Sequence, residues 1–139
     1  MDGYSGTPLP RKLGIRPGHL VVLSGAPAGF ARALAPLPDG ARVVSRLRPG
    51  ADVLVLFAPS RRRLAASLPR AVAALAAGGK LWLAWPKKAS GVRSDLSEKE
   101  VRAAGLAAAL VDYKIAALDA TWSGLCFARR AGGGRRPRT

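Results

Sequence analysis

Two short stretches of the chain hold residues whose types and spacing could do chemistry. Ser24-Gly25 closes one apolar run. Trp85-Pro86-Lys87-Lys88, followed by Ser90 and Arg93, closes another. A glycine-containing bend ahead of a helix turns backbone N–H groups outward, which favours negative charge. Lysines add mobile point charges. Pro86 cannot donate a ladder hydrogen bond, so strand pairing ends there and the two lysines project beyond it. Ser24, Gly25, Trp85, Lys87, Lys88, Ser90 and Arg93 are therefore expected to form a crevice for an anionic ligand, with Trp85 lining it. The plainer alternative for the same residues is a core tryptophan followed by solvated lysines.

A second group sits at the edges of this expectation. Tyr4, Ser5 and Thr7 near the start, and Trp122 and Ser123 near the end, would form a lid or the rim of the site. The alternative for the first three is a segment that simply closes one edge of a sheet. His19 is the only histidine and opens an apolar run, which suits a structural role better than a catalytic triad. Asp119, close to Thr121-Trp122-Ser123, fits a turn, and Asp95 fits a loop or helix cap. The eight acidic residues show no metal-ligand spacing, so no metal is expected. Cys126 is the only cysteine and alternates with Leu125 and Phe127, so it should be buried and inert. A single cysteine allows no internal disulfide, which suits a reducing, cytoplasmic setting. No apolar run approaches the length of a membrane span, and the first residues have no signal-peptide core.

The formal net charge is +15. Arg129, Arg130, Arg135, Arg136 and Arg138 crowd the C-terminal end, and Arg61-Arg62-Arg63 form a second group. Such clusters could hold nucleic acid nonspecifically and in a salt-dependent way. The arginine- and alanine-rich usage also suits a GC-rich coding background, which raises charge without a function. No recognition-helix motif or stacked aromatic platform accompanies the charge.

The elements that would position these residues follow from periodicity. His19 to Leu23, Asp52 to Phe57 and Lys80 to Trp85 are short continuous apolar runs, as expected of strands covered on both faces. Ala41 to Leu47 is a more polar strand, nearer an edge. Leu9 to Leu13 forms one helical turn stopped by Gly14, and Ala28 to Leu37 has helical spacing. Leu64, Leu68, Val72 and Leu75 mark a helix capped by Ser60, kinked at Pro69 and stopped at Gly78-Gly79. Ser97 and Glu100 form a capping box, with Leu96 and Val101 as its hydrophobic staple. That helix runs to about Leu110. Asp112 to Leu118 and Leu125 to Arg129 are the last strands, joined as an antiparallel hairpin. Residues 131–139 read as a disordered basic tail.

The order β-α-β-β-α-β-α-β-β predicts a single α/β domain over residues 1–130. It should be a small three-layer Rossmann-like domain, with a mostly parallel sheet and a C-terminal antiparallel hairpin. In such sheets the ligand crevice lies beyond the strands' carboxyl ends at the switch in strand order, here between the first and third strands. The element order, and the segment from Ala51 to Lys88 in particular, is similar to class I S-adenosylmethionine-dependent methyltransferases. The pieces GYSGTPL, KLGI-x-PG, DVLVLF, LWLAWPKKASG, GLAAALVD and TWSGL-x-F more closely resemble a bacterial family catalogued as domain of unknown function three-zero-five-two. That family brings no activity with it. The methyltransferase resemblance implies a glycine-rich loop after the first strand and a carboxylate after the second. This chain has Ser24-Gly25-Ala26-Pro27-Ala28-Gly29 and Ser45-Arg46 at those places.

These observations together predict a non-catalytic binding or regulatory module with an anion crevice and no required cofactor. A methyltransferase-related enzyme that takes S-adenosylmethionine, or a nucleotide, is the alternative, and nonspecific nucleic-acid binding is another. Expected partners are a small anionic ligand or a protein, with nucleic acid at the tail and no membrane.

Overall fold

A computed structural model describes residues 7–130. The expectations for Tyr4 and Ser5, and for the tail over 131–139, lie outside that range. The elements are α1 (Leu9–Leu13), β1 (Leu20–Ser24), α2 (Phe30–Ala33), β2 (Arg42–Val44), β3 (Ala51–Phe57), α3 (Arg61–Ala74) and β4 (Leu75–Pro86). A short 3-10 turn over Lys88–Ser90, α4 (Glu98–Ala107), β5 (Leu110–Ala117) and β6 (Trp122–Arg129) complete them. One sheet runs in the order β2-β1-β3-β4-β6-β5. β2, β1, β3 and β4 pair in parallel, and β6 runs antiparallel between β4 and β5. This is the predicted Rossmann-like sheet with its reversed hairpin. The chain switches direction of growth between β1 and β3, as anticipated.

Strand alternation divides the interior in two. Leu54, Leu56, Leu81, Leu83 and Trp85 point to the side of α3 and α4, where they meet Leu64, Leu68, Leu96 and Val101. Val53, Val55, Phe57, Trp82 and Ala84 point to the other side, toward Leu13, Phe30 and Leu34. Trp82 is wholly buried, and its indole N–H donates to the Leu13 carbonyl at 3.1 Å, tying α1 to the sheet.

Several boundaries differ from those read in the sequence. α2 is a single turn because Pro36 and Pro38 follow it directly, and neither can supply a helical N–H. α3 ends at Ala74 rather than at the glycine pair. Leu75 is already extended and lies beside Ala51; the pairing of β3 with β4 then skips from Leu75 to Lys80. A side chain at Gly79 would come within 2.6 Å of the Ala51 carbonyl oxygen, so only glycine allows the chain to rejoin β3 there. The end of α3 is closed by Arg129, whose guanidinium donates to the carbonyls of Val72 and Leu75. The Ser60 cap and the Ser97–Glu100 capping box form as expected.

Candidate functional site

β1, β3 and β4 are parallel, so their carboxyl ends share one rim. Antiparallel β6 begins at that rim, with Trp122 beside Pro86. The Ser24-Gly25 bend and the Lys87-Lys88 corner therefore lie on the same side of the sheet. Gly25 has φ +74°, and a side chain there would come within 3.2 Å of the Phe57 carbonyl oxygen. The bend must be glycine because the end of β1 crowds the end of β3. Gly29, with φ +88°, turns the loop into α2. Ser24 is partly exposed.

Along the rim, aromatic rings form a wall. Phe57 meets Phe30 edge-to-face at 4.9 Å and Trp122 at 5.1 Å between centroids. Phe30 and Phe57 are buried, and Trp122 is partly open. The sequence reading missed Phe30 and Phe57 as neighbours of the site. Phe57 ends an apolar strand, and nothing in its local pattern separates it from ordinary core.

The dilysine corner divides into two roles. The Lys87 ammonium donates to the Asp119 carbonyl at 2.8 Å, and its backbone N–H donates to the Thr121 carbonyl. Lys87 thus straps the β5–β6 turn to the end of β4. Asp119 in turn accepts from the N–H groups of Thr121 and Trp122 at 2.8 and 2.7 Å, which fixes the turn that presents Trp122. Lys88 is exposed and so is Arg93. The Ser90 hydroxyl donates to the Lys87 carbonyl and accepts from the Val92 N–H, so it shapes the corner. Trp85 is 6% exposed and sits in the core on the α3–α4 side, where it packs instead of facing open space. Asp95 accepts from the Arg61 N–H at the start of α3. His19 lies before β1, at the opposite rim, where its ring nitrogen Nδ1 accepts from the Arg16 N–H. Cys126 is free and buried, with its thiol pushed up by burial. Among the described residues no cluster of His, Cys, Asp and Glu could hold a metal ion, and no helix is long and apolar enough to cross a membrane.

No protein-family model matches the chain, and no curated protein is similar to it in sequence. Solved structures are similar to it in fold. One is a protein from Bordetella parapertussis, with TM-score 0.64 and 16% identity over 88% of this chain and 66% of that one. Another is DhpI in complex with SAH, with TM-score 0.62 and 13% identity over 88% of this chain and 82% of that one. A third is the magnesium protoporphyrin IX methyltransferase of Synechocystis with bound SAM, with TM-score 0.57 and 11% identity over 81% of this chain and 71% of that one. The chain thus has a methyltransferase-like Rossmann fold and spans just under two thirds of the first of these proteins. These likenesses correct the expectation of a non-catalytic module. The fold is shared with a methyltransferase holding SAM or SAH, and the methyltransferase-related alternative accounts for that better.

The residues present fit S-adenosylmethionine in one half. The β1–α2 loop turns through two glycines of positive φ and offers N–H donors to a carboxylate, except at Pro27. At the end of β2, where sheets of this kind place an acid for ribose hydroxyls, this chain has Ser45 and exposed Arg46.

Proposed function

We propose that the chain binds S-adenosylmethionine at the β1–β3 rim and takes part in methyl transfer. The observation that carries this reading is the Gly25 bend, pressed against the end of β3 on a fold shared with a SAM-bound methyltransferase. The loop from Ser24 to Gly29 would receive the amino-acid end of the cofactor, and Ser45 would hydrogen-bond the ribose. When bound, the cofactor supplies an electrophilic methyl group. The chain's own part is to orient it and exclude water with Phe30, Phe57 and Trp122, while Lys88 and Arg93 draw an anionic acceptor to the open side. His19 stands at the far rim, and Asp119 has its Oδ1 held by two N–H donors of the turn. An acceptor that is already nucleophilic in its anionic form, such as a carboxylate or thiolate, suits the exposed Lys88 and Arg93.

Titration calorimetry with S-adenosylmethionine and S-adenosylhomocysteine tests the reading. Binding should be measurable for the wild type and weakened at least tenfold, about 1.4 kcal/mol, by Gly25→Val. Absence of heat with either ligand from the folded wild-type chain would overturn it. We also infer, from the sequence motifs alone, that the chain belongs with the domain of unknown function three-zero-five-two. A solved member with a different strand order would refute that placement. The free, buried Cys126 supports a reducing, cytoplasmic compartment.

A further inference from the structure

Acidic side chains are unevenly shared between the two sides of the sheet. Asp95, Glu98, Glu100 and Asp112 gather around α3 and α4. Asp95 accepts from the Arg61 backbone, and Arg102 pairs with Glu98 at 2.7 Å and Asp112 at 2.9 Å. Arg61 also lies close enough to Glu100 to act on its charge. The arginines that open α3, expected from sequence to be a basic patch, thus begin in acidic company.

The α1 side is different. Arg11 is exposed on α1. The Lys80 stem lies about 3.6 Å from where a side chain at Gly14 would begin. The Lys114 ammonium stands 5.6 Å from the centre of the Trp82 ring, and both lysines are near enough to Cys126 to act on its thiol. A groove of about 400 Å³ runs between α1 and β5 and is lined by Arg11, Lys12, Lys114 and Ile115 among others. Tyr113 is 48% exposed and near enough to Cys126 to act on its thiol, which places it over the same part of the sheet. The pairing of β5 with β6 slips between Asp112 and Lys114, which leaves Tyr113 as the extra residue of a bulge. The bulge sends Asp112 to Arg102 on the α4 side and Lys114 to Trp82 on the α1 side. It therefore separates the acid from the lysine and leaves this surface cationic.

We propose that this surface, with Arg11, Lys80 and Lys114 around the exposed ring of Tyr113, binds single-stranded nucleic acid. Cations spaced around one exposed aromatic ring suit a phosphate backbone with a base stacked on the ring. A stacked duplex has no free base face to offer Tyr113, so single strands are preferred. This inference does not depend on methyl transfer, and it places the site on the folded domain rather than on the tail.

Fluorescence anisotropy with a labelled single-stranded oligodeoxythymidylate tests it, using the full chain. The wild type should bind, more weakly as salt rises. The triple variant Arg11→Ala, Lys80→Ala, Lys114→Ala should lose at least tenfold in affinity, and its salt slope should flatten by about 2, roughly 0.7 for each phosphate contact removed. Tyr113→Ala should lose severalfold with the slope unchanged. Arg61→Ala, on the acidic side, should bind as the wild type. Circular dichroism would confirm that each variant is folded. The proposal fails if the triple variant binds like the wild type. It also fails if Arg135→Ala, Arg136→Ala, Arg138→Ala alone abolishes binding, or if a duplex of the same length binds as tightly as the single strand.

Discussion

The two sides of the sheet solve the same problem with different materials. On one side α3 and α4, of 14 and 10 residues, lay leucine and alanine over the strands. On the other side α1 and α2 are 5 and 4 residues long and cannot cover much surface. There Trp82, Phe57 and Phe30 supply the buried area, and one hydrogen bond from Trp82 anchors α1. Long helices can share burial among many small contacts, whereas a thin cover concentrates it in a few large rings. The thin side carries the bend at Gly25, the aromatic wall and the cationic surface. The proposed sites thus gather where helical cover is least.

The sharpest way to break this comparison is Trp82→Ala. Loss of a buried tryptophan should cost about 3–5 kcal/mol, and with it the tether to Leu13. Urea unfolding would report the loss as a lower midpoint. If the cost were only that of an average core methyl group, the thin side would not depend on its rings. The matching change on the thick side is Gly105→Ala. A side chain there would sit 2.1 Å from the Phe127 ring, so α4 must shift outward. Overpacking of about 1–3 kcal/mol should outweigh the gain of up to about 1 kcal/mol from alanine's helix propensity. A more stable Gly105→Ala variant by the same measurement would mean that α4 yields easily.

Much of this arrangement was legible in the sequence. The apolar strands, the Ser97–Glu100 box and the reversed hairpin gave the sheet and its parallel order, because each is a local pattern. The shared rim of Ser24-Gly25 and Lys87-Lys88 followed from that order. What was not legible depends on long-range partners. Trp85 and Trp82 look alike in sequence, and alternation sends both into the core, one to each side. Lys87 resembles Lys88, yet only the first meets a carbonyl 32 residues away. The bulge at Tyr113 leaves no local mark, since it arises from mismatched pairing with β6. The early end of α3 reflects Ala51 claiming Leu75 as a strand partner, which local helix propensity does not register.

Smaller effects should sharpen the contrast. Ser60→Ala removes the hydroxyl that accepts the Arg63 N–H at 3.2 Å and should cost about 1 kcal/mol in urea unfolding. The same change should leave ligand binding at the Gly25 rim untouched, since Ser60 serves the thick side. An equal fall in both would mean that the two sides are mechanically coupled.

Acid should act first on the thick side, where the paired carboxylates lie. The Ser97 hydrogen bonds hold the Glu100 carboxyl below its ordinary value of 4.5, and Arg102 holds that of Asp112 below 3.8. A carboxyl depressed in the folded state binds its proton more readily when unfolded. Its contribution is therefore present above the unfolded value and is lost as pH falls through the folded one. Stability should decline as pH drops below about 4.5, and Glu100→Gln should reduce that decline, because the variant has no proton to take up there. Thermal melts at pH 6 and pH 3.5 would compare the two chains. The variant should be the less stable at pH 6, and the gap should narrow at pH 3.5. A gap of the same size at both pH values would place the acid sensitivity elsewhere than at the start of α4.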